Sequence, residues 1–164
     1  LLCTANTRKI FLLAANQLYP IYEMNLPVLP SCALYDEEKD IFYICGTAED
    51  GVKGSLCLLS GEGELIKICD TGNIPVDMAL YRGLLLISCS GQDVIALHAR
   101  NNGRTMGWIK GPIMPDRLAV CSERGLLYVS SQLEDVIEII DLAGRKTLYT
   151  IQTGREPSAL IICR

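Results

Sequence analysis

Chemistry in this chain would have to come from carboxylates, thiols or a single imidazole. The one histidine, His98, lies in the alternating stretch VIALHAR. A strand histidine satisfied by its neighbours or facing solvent accounts for it, and no GxSxG elbow supplies a nucleophile for it to serve. The GEG turn at residues 61–63 lacks the following helix that a phosphate site uses. Eight cysteines stand singly, without a CxxC pair, most of them inside apolar runs such as SLCLL, IKIC and LISC. They read as small buried hydrophobes. Their spacing is not that of metal ligands, and free thiols imply a reducing, cytoplasm-like compartment.

Carboxylates remain. Glu37-Glu38, Glu49-Asp50, Asp93 and Glu134-Asp135 fall in or beside breaks between apolar runs. Asp77 follows Pro75 by two residues, and Asp116-Arg117 follows Pro115 directly. Two aspartates and an arginine are too few for a calcium-type site, which takes about six oxygens or more. Asp116 and Arg117 are expected to pair with each other or to be solvated. With Arg155 and Glu156, these side chains describe a mostly acidic rim suited to a protein or peptide, with a small ligand also possible. No catalytic residue, metal or cofactor is expected.

The bulk composition fits a binding domain. Of 164 residues, 49% are hydrophobic and 21% charged, which is globular rather than disordered. A net charge of −4 argues against general nucleic-acid binding, which needs a basic surface. No run approaches the ~18 apolar residues of a membrane helix. The sequence opens on Leu1 rather than Met, which suggests a missing start.

The elements that position these residues come from a repeat. Pro30, Pro75, Pro115 and Pro157 recur at intervals of 45, 40 and 42. The third passage contains four short strands at 117–121, 126–130, 136–142 and 146–152, joined by tight turns. The two passages before it read as strands at 32–35, 41–45, 55–59 and 64–69, then 76–81, 84–89, 94–99 and 105–110. No sustained 3.6-residue period marks a helix. Residues 1–30 slide onto 128–157 without a gap: Ile10 meets Ile137, Leu12 meets Ile139 and Tyr22 meets Tyr149. The first unit therefore holds strands two to four, and 158–163 reads as a strand one without followers.

This is an all-β chain of four-stranded antiparallel blades, four blade-equivalents in one propeller domain. The approximate units are 1–29 with 157–164, 30–74, 75–114 and 115–156. Two arrangements are open: a small ring closed by the C-terminal strand, which would remove sheet edges, or the C-terminal part of a larger ring. A β-sandwich or solenoid is the structural alternative. Trp108, in a fourth strand, is expected to pack between blades, and Asp141 to bond its own turn. Loops between strands two and three should share one face with the loops leading to the next strand one.

Residues 125–160 resemble the YVTN-type propeller repeat. The second strand is Leu127-Tyr128-Val129-Ser130-Ser131, the third runs from Val136 to Asp141, and the turn is Gly144-Arg145-Lys146. The closing loop is Gly154-Arg155-Glu156-Pro157. The match is good here, moderate over 30–125 and weak over 1–29. It implies a YncE-like or surface-layer-like propeller, and more distantly WD-repeat, lactonase-like and quinoprotein-like ones. Many members are bacterial and exported, an expectation that opposes the one from cysteine usage. These families share a fold and not a function. The expectation is thus a non-catalytic scaffold that binds through its loop face. The alternative is part of a lactonase-like or quinoprotein-like enzyme whose site is completed by further blades.

Overall fold

Runs such as SLCLL and LLLISC are apolar at successive positions, so strands built from them must be covered on both faces. A computed structural model, which describes residues 2–3, 7–13 and 19–162, covers them in this way. All regular structure among the described residues is strand, in four antiparallel meanders. The first is β1 (Leu2–Cys3), β2 (Lys9–Leu13) and β3 (Pro20–Asn25). The second is β4 (Leu29–Asp36), β5 (Ile41–Thr47), β6 (Gly54–Ser60) and β7 (Leu65–Asp70). The third is β8 (Pro75–Tyr81), β9 (Leu84–Cys89), β10 (Val94–Ala99) and β11 (Thr105–Lys110). The fourth is β12 (Pro115–Cys121), β13 (Leu126–Ser131), β14 (Val136–Asp141) and β15 (Lys146–Gln152).

Successive sheets stack face to face, and the period of two in each middle strand feeds two cores. In β5, Tyr43 and Cys45 point into the core shared with the third sheet, while Ile44 points into the core shared with the first. In β9, Leu85, Ile87 and Cys89 face the second sheet and Leu86 faces the fourth. The first strands β4, β8 and β12 lie side by side. The last strand of each sheet is the exposed one, and every residue of β15 is exposed. Ladder irregularities recur at equivalent places, as at Leu58/Leu59, Leu97/His98 and Ile139/Ile140. Such bulges increase local twist.

Two expectations are corrected. Residues 158–162 carry no strand; Cys163 lies outside the described residues. Trp108 is 46% exposed rather than packed between sheets, because its outermost strand meets solvent. Asp141 does bond its own turn: its carboxylate accepts from the amides of Ala143, at 3.3 Å, and Gly144, at 2.8 Å. No helix among the described residues is long and apolar enough to cross a membrane.

A buried ion pair ties the second sheet to the third. Asp36, 1% exposed at the end of β4, receives two hydrogen bonds from the Arg100 guanidinium in the β10–β11 loop. Lys39 N–H also donates to Asp36, at 3.2 Å, and Tyr43 Oη donates to the Arg100 carbonyl. Arg100 donates further to the Arg82 carbonyl at 3.3 Å and lies 2.9 Å from Glu38. Hydrogen bonding from Arg100 holds the Asp36 carboxyl below the usual carboxylate range. Burial, with Asp36 beside it, pushes the Tyr43 hydroxyl up to about 12.

Glycines at the ends of the β5–β6 loop allow close backbone approach, to β4 within the second sheet and to the loop entering β8. A Cβ on Gly46 would lie 2.2 Å from the Leu29 carbonyl oxygen. One on Gly54 would lie 2.0 Å from the Gly72 oxygen and 2.9 Å from the Pro75 ring.

Candidate functional site on the loop face

The inter-sheet loops meet the second-to-third strand loops, and hydrogen bonds fasten them in a repeated way. Ile74, Met114 and Glu156 each precede a repeat proline, and each has a left-handed backbone, with φ of 50°, 50° and 52°. Their amides donate to Val52 O at 2.9 Å, Asp93 Oδ1 at 2.8 Å and Asp135 Oδ1 at 2.8 Å. One residue earlier, the Asn73 amide donates to Gln92 Oε1 at 3.0 Å and the Ile113 amide to Glu134 Oε2 at 2.7 Å. Asp93 and Asp135 are themselves left-handed, at 55° and 57°, which Asp tolerates better than most residues. Three acidic residues expected on the rim, Asp93, Glu134 and Asp135, thus have their carboxylates on backbone amides.

Asp77 also acts between strands. Its carboxylate accepts from its neighbour Met78 N–H and, across to β12, from Leu118 N–H, both at 2.9 Å. Ser88 adds a parallel link, its hydroxyl donating to the Asp116 carbonyl at 2.7 Å. The sequence-predicted rim therefore divides. Asp77, Asp93, Glu134 and Asp135 fasten loops and strands, whereas Arg155 and Glu156 present exposed side chains. Arg117, 43% exposed, approaches Asp116 at 3.6 Å.

Asp116 sits at a cavity of about 130 Å³. Val76, Met114, Pro115 and Leu133 supply its apolar wall; Ser90, Asp116 and Gln132 supply its polar one. Gln132 Nε2 donates to Asp116 Oδ2 at 2.8 Å. Met114 and Leu133 of its lining are exposed, Leu133 by 63%, and so are Ile74 and Ile113 in the loops that enter β8 and β12. Sequence reasoning missed these four. Their signal is apolar residues at or just before the repeat prolines, and one in the loop that meets them, where loop chemistry favours polar ones.

A left-handed β-branched residue such as Ile74 is an outlier that costs about 1–3 kcal/mol, and such strain gathers at ligand sites. Replacement Ile74→Gly is therefore expected to leave the melting temperature unchanged or higher. A fall of several degrees would mean that Ile74 is kept for packing.

The other candidates are accounted for by the interior. His98 is buried; its Nδ1 donates to the Gly103 carbonyl at 2.8 Å, so Nε2 accepts from the Thr71 hydroxyl at 3.0 Å. Burial lowers its pKa, which favours the neutral ring. Cys45, Cys57 and Cys89 are buried and Cys32, Cys69 and Cys121 partly so; Cys3 and Cys163 lie outside the residues whose side chains are described. Burial pushes the Cys57 and Cys89 thiols up to about 11, which suits packing rather than nucleophilic attack. Among the described residues, no three His, Cys, Asp or Glu side chains gather to hold a metal ion.

No family model and no curated protein matches this sequence. Solved structures do match its fold. The hydrazine synthase of Kuenenia stuttgartiensis aligns with a TM-score of 0.66 and 14% identity, covering 87% of this chain and 40% of that one. The chain is built of β-propeller blades. U3-55K gives a TM-score of 0.68 at 12% identity, over 81% of this chain and 42% of that one. A protein of unknown function from Bacteroides caccae gives 0.66 at 11% identity, over 89% and 54%. The chain spans two fifths to just over half the length of these neighbours. At such identities the likeness concerns the fold alone.

Proposed function

We propose that this propeller is a non-catalytic scaffold that binds a protein or peptide through its loop face, in keeping with its resemblance to the YVTN-type repeat. The observation that carries the reading is the cavity at Asp116. At about 130 Å³ it is well below the roughly 300–1,000 Å³ that cofactors and drug-sized ligands occupy. It suits one side chain of a partner. An apolar wall ending on a carboxylate favours a lysine or arginine, whose aliphatic stem can lie against Met114 and Leu133 while its charge meets Asp116. Exposed Arg155 and Glu156 extend the same face, and Arg117 can turn from Asp116 to a partner carboxylate. The apolar rim of Ile74, Ile113, Met114 and Leu133 supplies the buried contact area that a binding centre needs.

A random-peptide display on the purified chain tests this. Enriched sequences should carry a basic residue beside apolar ones. Asp116→Asn and Leu133→Ser should each weaken their binding by about tenfold, the loss of some 1.4 kcal/mol. Failure to enrich any sequence, or equal binding by both variants, would overturn the reading.

A further inference from the structure

The core between the second and third sheets is unusually rich in sulfur. Cys45 Sγ lies 3.4 Å from Met78 Sδ. Cys32 and Cys45 are directly opposed partners in the β4–β5 ladder, so their side chains leave the same face, and all three residues belong to one cluster. Opposed partners hold their Cβ atoms about 5 Å apart. Three sulfurs therefore converge from three strands, β4, β5 and β8. No histidine or carboxylate joins them.

We propose that Cys32, Cys45 and Met78 form a binding site for a soft monovalent metal ion, Cu⁺ in chemical class. Thiolate and thioether ligands select Cu⁺. Zn²⁺ asks for four ligands of thiolate, imidazole or carboxylate type, and a thioether is a poor substitute. Cu⁺ is satisfied by two or three sulfurs. Binding forms a bond from the metal to each of the two cysteine sulfurs and releases their two protons to water. The thioether contributes a lone pair and loses nothing, and no oxidation state changes. The bound group carries one net negative charge, so the ion must repay some desolvation. Cys45 is fully buried, but Cys32 is only partly so and adjoins exposed Ser31, which gives the ion its way in. Packing alone would explain a single cysteine or methionine in a core; the sulfur-to-sulfur contact beside a third, partly buried cysteine is the additional feature.

The test is an anaerobic titration of the full chain with Cu⁺ delivered from its bicinchoninate complex. The chain should withdraw one Cu⁺, with the ultraviolet absorption of a copper–thiolate bond. Met78→Leu keeps the core volume and should fold with an unchanged melting temperature. It should lower affinity by more than about tenfold, the loss that even outer-shell changes cause. Cys45→Ser should abolish binding, and Cys121→Ser should leave it intact. Two results would overturn the proposal: no copper withdrawn, or full affinity retained in either Met78→Leu or Cys45→Ser.

Discussion

Removing Asp36 should cost less than removing Arg100, since Arg100 then keeps Glu38; removing Arg100 leaves buried Asp36 charged and without its partner, which should cost about 3 kcal/mol or more. For a domain of this size that is a fall of about 6–12 °C in melting temperature. Asp36→Asn keeps the shape and removes only the charge, so it isolates the electrostatic part. Exposed pairs such as Lys53–Asp70 are worth about 1 kcal/mol at most, so Lys53→Ala should barely register. The double replacement of Asp36 and Arg100 by Leu and Met should recover much of the loss, since a hydrophobic pair of similar volume needs no desolvation. Acid gives a second readout. The folded carboxyl titrates below its ordinary value, so its contribution is complete above about pH 3.9 and is lost as pH falls through the folded value. Asp36→Asn should therefore flatten the acid limb of the stability curve. An Arg100→Met variant melting within about 2 °C of the parent would refute the account.

The second large effect is expected at Gly54. An alanine there would place its methyl carbon 2.0 Å from the Gly72 carbonyl oxygen, and the Gly72 backbone and the Pro75 ring leave nothing flexible to yield. The sheet and the loop entering β8 would have to separate, which we expect to cost about 3 kcal/mol. Gly46→Ala should behave alike against the Leu29 carbonyl. Gly154→Ala is the control: nothing lies within 4 Å of its added carbon, and its change should stay within about 0.5 kcal/mol. Chemical denaturation of the three variants checks the order. Equal stability of Gly54→Ala and Gly154→Ala would sink the argument.

The sequence exposed the fold through local signals. The strands read at 84–89, 94–99, 105–110 and 146–152 have the ends of β9, β10, β11 and β15. Apolar runs bounded by turn residues carry that information, and Asp141 could be assigned to its own turn because its partners lie two and three residues away. What stayed hidden depends on contacts between sheets. Asp36 and Arg100 are 64 residues apart, and nothing local to either marks the other. The same holds for Cys45 and Met78, 33 apart. Asp93 and Asp135 were legible as loop residues but not as amide acceptors, because their partners lie 21 residues on, in the next connection. Ile74 and Met114 defied local preference outright, since residues before proline favour extended backbone.

The fastening before three of the four repeat prolines uses the amide of Ile74, Met114 or Glu156 rather than its side chain. Scaffold and contact are thus carried by different atoms of the same residue. A single codon change there can rewrite what one blade displays without renegotiating how the blade is held. Across successive blades the position works like a row of interchangeable keys on a fixed frame, with isoleucine, methionine and glutamate as the present setting. A lineage, or a designer, could exchange the keys one at a time.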